Sequence, residues 1–93
     1  MSMAERIRAK LEAGLKPARI EIIDDSHRHQ GHAGARPGGE THFRVEIVAA
    51  SFAGLSRIER QRSVYALLAD EMAERVHALQ LVTMAPGEKG AAG

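Results

Sequence analysis

Histidine is the side chain through which this protein would bind a metal. The chain of 93 residues has five histidines and no cysteine. Four of them, His27, His29, His32 and His42, fall within the run DDSHRHQGHAGARPGGETHF, and His77 lies downstream in ERVHALQL. Imidazole is a borderline ligand for first-row metals and titrates near neutral pH. The absence of cysteine removes a thiol nucleophile and any disulfide framework. Spacing alone admits a zinc site from His27, His29 and His32 with a water in the fourth position. That spacing matches no common zinc motif, and the run around it reads as a loop.

Elements that would position these residues follow from the hydrophobic pattern. Met3, Ile7, Leu11 and Leu15 recur every four residues and mark one face of a helix. Ser2 and Glu5 form a capping-box pair at its start, and Gly14 and Pro17 bracket its end. Arg19 to Asp24 reads as a strand, with Ile20 and Ile22 on one face and Ile23 on the other. Asp25 to Gly39 is too polar and too rich in glycine for regular structure. Glu40 to Ala49 alternates, with Phe43, Val45 and Ile47 inward and His42, Arg44 and Glu46 outward.

Ser51 to Leu55 turns, and Ser56 with Glu59 forms a second capping box. An apolar stripe through Val64, Leu67, Leu68 and Met72 continues to Val76. That span is long for so small a domain, and a break near Gln61 to Ser63 would give a short helix and then a long one. Ala78 to Met84 reads as a final strand, with Leu79 and Leu81 on one face. Pro86 to Gly93 reads as a disordered Gly/Ala tail, the domain itself being taken to residue 88 and residues 89–93 left outside it.

The expected order is therefore α-β-β-α-α-β, an α+β arrangement of three strands with helices on one face. The first two strands would pair antiparallel. The strand–helix–strand unit from Glu40 to Met84 would be a right-handed crossover with parallel strands. Parallel strands begin at the same edge of a sheet. This places His42, which opens the second strand, beside His77, which precedes the third. The loop histidines hang over the same edge. An antiparallel third strand would instead put His77 at the opposite edge.

Composition narrows the function classes. Phe43, Phe52 and Tyr65 are the only aromatic residues, so the core must be aliphatic. Thirteen basic against 12 acidic side chains leave a net charge of +1, which argues against a strongly electrostatic nucleic-acid binder. No apolar run approaches membrane-spanning length, and none resembles a signal-peptide core, so a cytoplasmic protein is expected. No enzyme constellation stands out. Asp24 and Asp25 are adjacent at a strand end, where side chains diverge. Ser26 beside His27 has no triad context. Gly38–Gly39 is no phosphate loop. Arg57, Arg60 and Arg62 cluster at the start of a helix, a solvated face that could contact phosphates. Arg44 and Glu46 could equally belong to a protein interface.

Three blocks of this sequence resemble BolA-like proteins: ETHFRVEIV (Glu40 to Val48), FAGLSRIERQRSVYALLADE (Phe52 to Glu71) and VHALQL (Val76 to Leu81). DDSHRHQGHAG also looks like that family's loop, and the likeness spans roughly residues 5 to 88. The resemblance implies an α-β-β-α-α-β fold similar to a class II KH domain, with a three-stranded mixed sheet. It implies a non-enzymatic partner of a CGFS-type monothiol glutaredoxin, sharing a 2Fe-2S cluster with the glutaredoxin cysteine and glutathione. In this chain the implied ligands are His77 before the last strand and His32 in the loop, with His29 and His42 as alternates. Histidines in place of cysteines raise a cluster's potential, as in Rieske centres, and make its retention pH-sensitive. The resemblance also implies, as a second role, a DNA-binding transcriptional regulator of stress response and cell morphology. Arg57, Arg60 and Arg62 would then meet DNA. The free form is expected to be a monomer or weak homodimer. Two features depart from the family: the loop from His32 to Glu40 is about one residue longer, and Gln61 stands where histidine is frequent. The GXXG loop that KH-type recognition needs is missing, its closest counterpart being Ala53 to Ser56.

Overall fold

The computed structural model describes residues 2–24 and 42–88. Its elements are α1 (Met3–Leu15), β1 (Arg19–Asp24), β2 (His42–Val48), α2 (Arg57–Leu67), α3 (Ala69–Glu74) and β3 (Ala78–Met84). One 3-10 turn, Ala50–Phe52, links β2 to α2. The sheet order is β1-β2-β3. β1 pairs antiparallel with β2, running from Arg19 opposite Val48 to Asp24 opposite Phe43. β2 pairs parallel with β3, from His42 opposite Ala78 to Val48 opposite Met84. The expected order and strand directions are therefore those observed.

The alternation in β2 explains the layer structure. Phe43, Val45 and Ile47 are buried and share one core cluster with Ile7 and Leu11 of α1 and Val64 and Leu68 of the α2–α3 region. Ile20 and Ile22 of β1 and Leu79 and Leu81 of β3 pack against the same cluster. Burying each such aliphatic side chain contributes about 1.5–3 kcal/mol. Both expected capping boxes form. Ser2 Oγ accepts from the Glu5 backbone N–H at 3.1 Å, and the Glu5 carboxylate accepts from the Ser2 N–H at 2.9 Å. Ser56 and Glu59 repeat the exchange, both bonds at 3.1 Å.

Three local findings refine the expectations. First, α1 ends at Leu15, between Gly14 and Pro17 as expected, and its cap is Lys16, whose φ of 47° and ψ of 57° are left-handed and whose N–H bonds to Glu12 O at 3.1 Å. Gly14 sits within the helix, where a Cβ would lie 2.7 Å from both Leu67 methyl carbons, so close packing explains the glycine. Second, the helix break falls at Leu68 rather than near Gln61 to Ser63, giving the longer helix first. Ser63 lies inside α2 and donates its hydroxyl back to Glu59 O at 3.1 Å. At Leu68, φ −103° and ψ 17° bend the chain, and both Leu68 and Glu71 are buried. Third, the tail does not begin at Pro86. The chain turns after Ala85, and the Glu88 N–H bonds back to Ala85 O at 3.2 Å. Residues 89–93 lie outside the described residues.

Glu71 tethers α3 to α1. Its carboxylate is fully buried and takes Arg6 Nη2 at 2.9 Å and Lys10 Nζ at 2.9 Å. Arg6 also pairs with Glu74, and Lys10 with Asp70 at 3.3 Å. Burial pushes the Glu71 carboxyl up, but the donors from Lys10, its own backbone and Arg6 outweigh burial and hold it below 4.5.

Candidate functional site

His42 and His77 stack at the end of the sheet where β2 and β3 begin. Their ring centroids are 6.3 Å apart and their planes differ by 19°. Each is placed by its neighbours. Phe43, 2% exposed, anchors the chain beside His42. Val76 is buried in the core, and its N–H bonds to Glu71 O at 3.1 Å after α3 has ended. Ala78 is already in register opposite His42. His77 is thus held between a core anchor and a strand, and it is exposed, while His42 is half-buried. The parallel pairing expected from the crossover is what brings them together.

Two adjacent imidazoles on a sheet edge are a donor set that fits a borderline metal. Among the described residues no group of three histidine, cysteine, aspartate or glutamate side chains converges on one point. The described part of the chain therefore offers an incomplete ligand set. His27, His29 and His32, including the zinc arrangement considered for them, lie outside the described residues.

The arginine cluster divides. Arg60 is buried and serves the fold. Its Nε donates to Leu55 O at 3.0 Å, and Nη1 donates to Thr83 O at 3.2 Å. Its two Nη atoms grip the two Glu88 oxygens, each at 2.7 Å. The guanidinium also lies over the Phe52 ring, 5.9 Å from its centroid. The bidentate Arg60 guanidinium draws the Glu88 carboxyl down to about 2, with help from the Ala85 N–H. A guanidinium so occupied is not open to a phosphate. Arg57 and Arg62 are exposed. Arg44 and Glu46 pair with each other at 3.2 Å on the face of the sheet away from the helices.

Sequence reasoning missed the α1–α3 tether and the Arg60–Glu88 clamp, whose partners stand 65 and 28 positions apart. It also missed a cleft of about 230 Å³ lined by Arg57, Leu81, Val82 and Thr83. No helix among the described residues is long and apolar enough to cross a membrane.

Fold and site together define a small α+β domain that presents a pair of imidazoles at one end of a mixed sheet. The family model described as BolA-like protein matches residues 11–88. The chain belongs to the BolA-like family. It is 45% identical over 89 residues to an uncharacterised protein from the cobS 5′ region of a Sinorhizobium species, covering 95% of this chain and 96% of that one. It is 41% identical over 83 residues to the DNA-binding transcriptional regulator BolA of Escherichia coli, covering 89% of this chain and 75% of that one. Among solved structures, the BolA domain of SufE1 from Arabidopsis thaliana superposes with a TM-score of 0.82 at 43% identity, covering 92% and 94% of the two chains. Some relatives are longer proteins: the chain spans 24% of SufE-like protein 1 from Arabidopsis thaliana.

Proposed function

We propose that this protein is a non-enzymatic partner of a CGFS-type monothiol glutaredoxin, with which it shares a 2Fe-2S cluster for trafficking or sensing. The observation that carries this reading is the exposed His77 ring stacked on His42 at one end of the sheet. His77 is the first proposed ligand, with His32 as the second and His29 as its alternate. The incomplete ligand set fits a group completed by a partner's cysteine and by glutathione. Such a cluster supplies one-electron chemistry and transferable iron and sulfide. The chain's own part is placement. Val76 and Ala78 hold the backbone on either side of His77, whose ring stacks on that of His42. We place the partnership in the cytoplasm, where glutathione keeps thiols reduced.

The test mixes the protein with a CGFS glutaredoxin, iron, sulfide and glutathione, and records visible absorption and circular dichroism. A spectrum distinct from that of the glutaredoxin homodimer is expected. His77→Ala and His32→Ala should abolish it while far-UV spectra stay unchanged. A spectrum that remains that of the glutaredoxin alone would refute the reading.

A second reading, a DNA-binding regulator, draws on the exposed Arg57 and Arg62 and on the printed name of the Escherichia coli relative. It expects sequence-selective binding that survives about 200 mM salt. Binding lost at that salt would be phosphate attraction only.

A further inference from the structure

β3 lies at the outer edge of the sheet, and two of its outward carbonyls are already capped. Residues along a strand alternate in the side to which they direct their N–H and C=O. Met84 O bonds to the Ala49 N–H, toward β2, so even-numbered residues of β3 face the sheet. Leu79, Leu81 and Thr83 therefore face outward. Leu79 O accepts from the Tyr65 hydroxyl at 3.2 Å, and Thr83 O accepts from Arg60 Nη1 at 3.2 Å. Leu81 lies between the two caps and lines the 230 Å³ cleft together with Arg57, Val82 and Thr83. Arg57 forms no ion pair among the described residues. The two large hydrophobic side chains most exposed among them, Ile58 at 60% and Tyr65 at 39%, stand on the same helix, Ile58 next to Arg57.

We propose that this edge docks an extended, carboxylate-bearing segment of a partner protein. The segment adds as a strand beside Leu81 and sets an acidic group on Arg57. The N–H and C=O of Leu81, without a partner among the described residues, supply the ladder contacts, and Arg57 supplies charge selection. Native sheets blunt exposed edges, and here Tyr65 and Arg60 cap the Leu79 and Thr83 carbonyls and leave a short window between them. That window restricts docking to a segment short enough to fit between the caps. Charge disfavours a second copy of this chain, which would bring its own Arg57 to the same seam. A nucleic acid would use the arginine but not the strand's donor and acceptor. The site is independent of the histidine pair. Leu81 lies four positions beyond His77, roughly 13 Å along the strand, so both ends of β3 can be occupied together.

The probe is an acetylated tetrapeptide of alternating valine and glutamate, about 13 Å long when extended, titrated into the isotope-labelled protein. Saturable shifts at the Leu81 and Thr83 amides are expected, together with slowed hydrogen exchange of the Leu81 amide. Arg57→Glu, at an exposed position, should keep its far-UV spectrum and weaken binding about tenfold or more. The lysine counterpart of the peptide should not bind. The proposal is overturned if the acidic peptide gives no saturable shift. It is equally overturned if Leu81 protection follows protein rather than peptide concentration, which would assign the edge to self-association. An oligothymidylate that shifts Arg57 and Arg62 without protecting Leu81, where the peptide does nothing, would assign it to nucleic acid instead.

Discussion

Replacing Glu71 by glutamine tests whether the buried ion network holds α3 against α1. The change keeps side-chain shape and removes one charge that is fully shielded from water. The new amide must also turn its NH2 toward one of two cationic donors, Arg6 Nη2 or Lys10 Nζ, each 2.9 Å from a carboxylate oxygen. Removing one partner of a fully buried pair costs about 3–5 kcal/mol. Arg6 and Lys10 are 30% and 38% exposed and keep Glu74 and Asp70, so they recover part of that cost through hydration. The expected loss is therefore about 2 kcal/mol at pH 7. For a domain of this size that corresponds to a fall in Tm of about 8–15 °C. Urea unfolding followed by far-UV circular dichroism should show a lower midpoint with an unchanged m value. Acidification gives a second reading. Because the folded carboxyl is held below its ordinary 4.5, its contribution is complete above that pH and disappears as pH falls through the lower folded value. The gap between wild type and Glu71→Gln should narrow below about pH 4.5. A gap under about 0.5 kcal/mol at pH 7, the range of an ordinary surface substitution, or one that does not narrow in acid, would refute the account.

Gly14→Ala should gain little in the wild-type background, because its Cβ meets the Leu67 methyls at 2.7 Å. In a Leu67→Ala background the same change should stabilise by about 0.5–1 kcal/mol, the usual helix preference for alanine. A double-mutant cycle by urea melts checks the difference, and equal effects in both backgrounds would rule out the close contact. Glu88→Gln should lower the urea midpoint by loosening the Arg60 clamp. With the Glu88 carboxyl drawn to about 2, that contribution should persist in mild acid and fade only between about pH 4.5 and 2. An acid titration in which wild type and variant coincide at pH 5 would contradict it.

The meeting of His42 and His77 was legible because one topological rule acts on two short motifs. A crossover that makes β2 and β3 parallel places the start of one beside the start of the other. Helix starts were equally legible, since each capping box is complete within four residues. The break at Leu68 was not, since Leu68 and Ala69 carry no glycine, proline or serine signal. The α1 contacts to Glu71 come from far along the chain, beyond the reach of any local window. For the same reason Arg60 read as a surface charge. Its burial depends on Glu88 and on the Thr83 carbonyl, which only the folded sheet brings near. At Lys16 a non-glycine residue takes the left-handed cap, while glycine, the usual signal, is used two residues earlier for packing.

The sheet order also sets a hierarchy of opening. β2 is hydrogen-bonded on both sides, whereas β1 and β3 each lean on it from one side only. Local fluctuations that expose amides to exchange should peel an outer strand before they reach the middle one. His42 rides on the strand that opens last, and His77 on the approach to one that can fray. The stacked pair thus joins a fixed ring to a compliant one. A partner drawing on His77 would work against the give of a single edge strand, while the ring beneath it stays registered to the core.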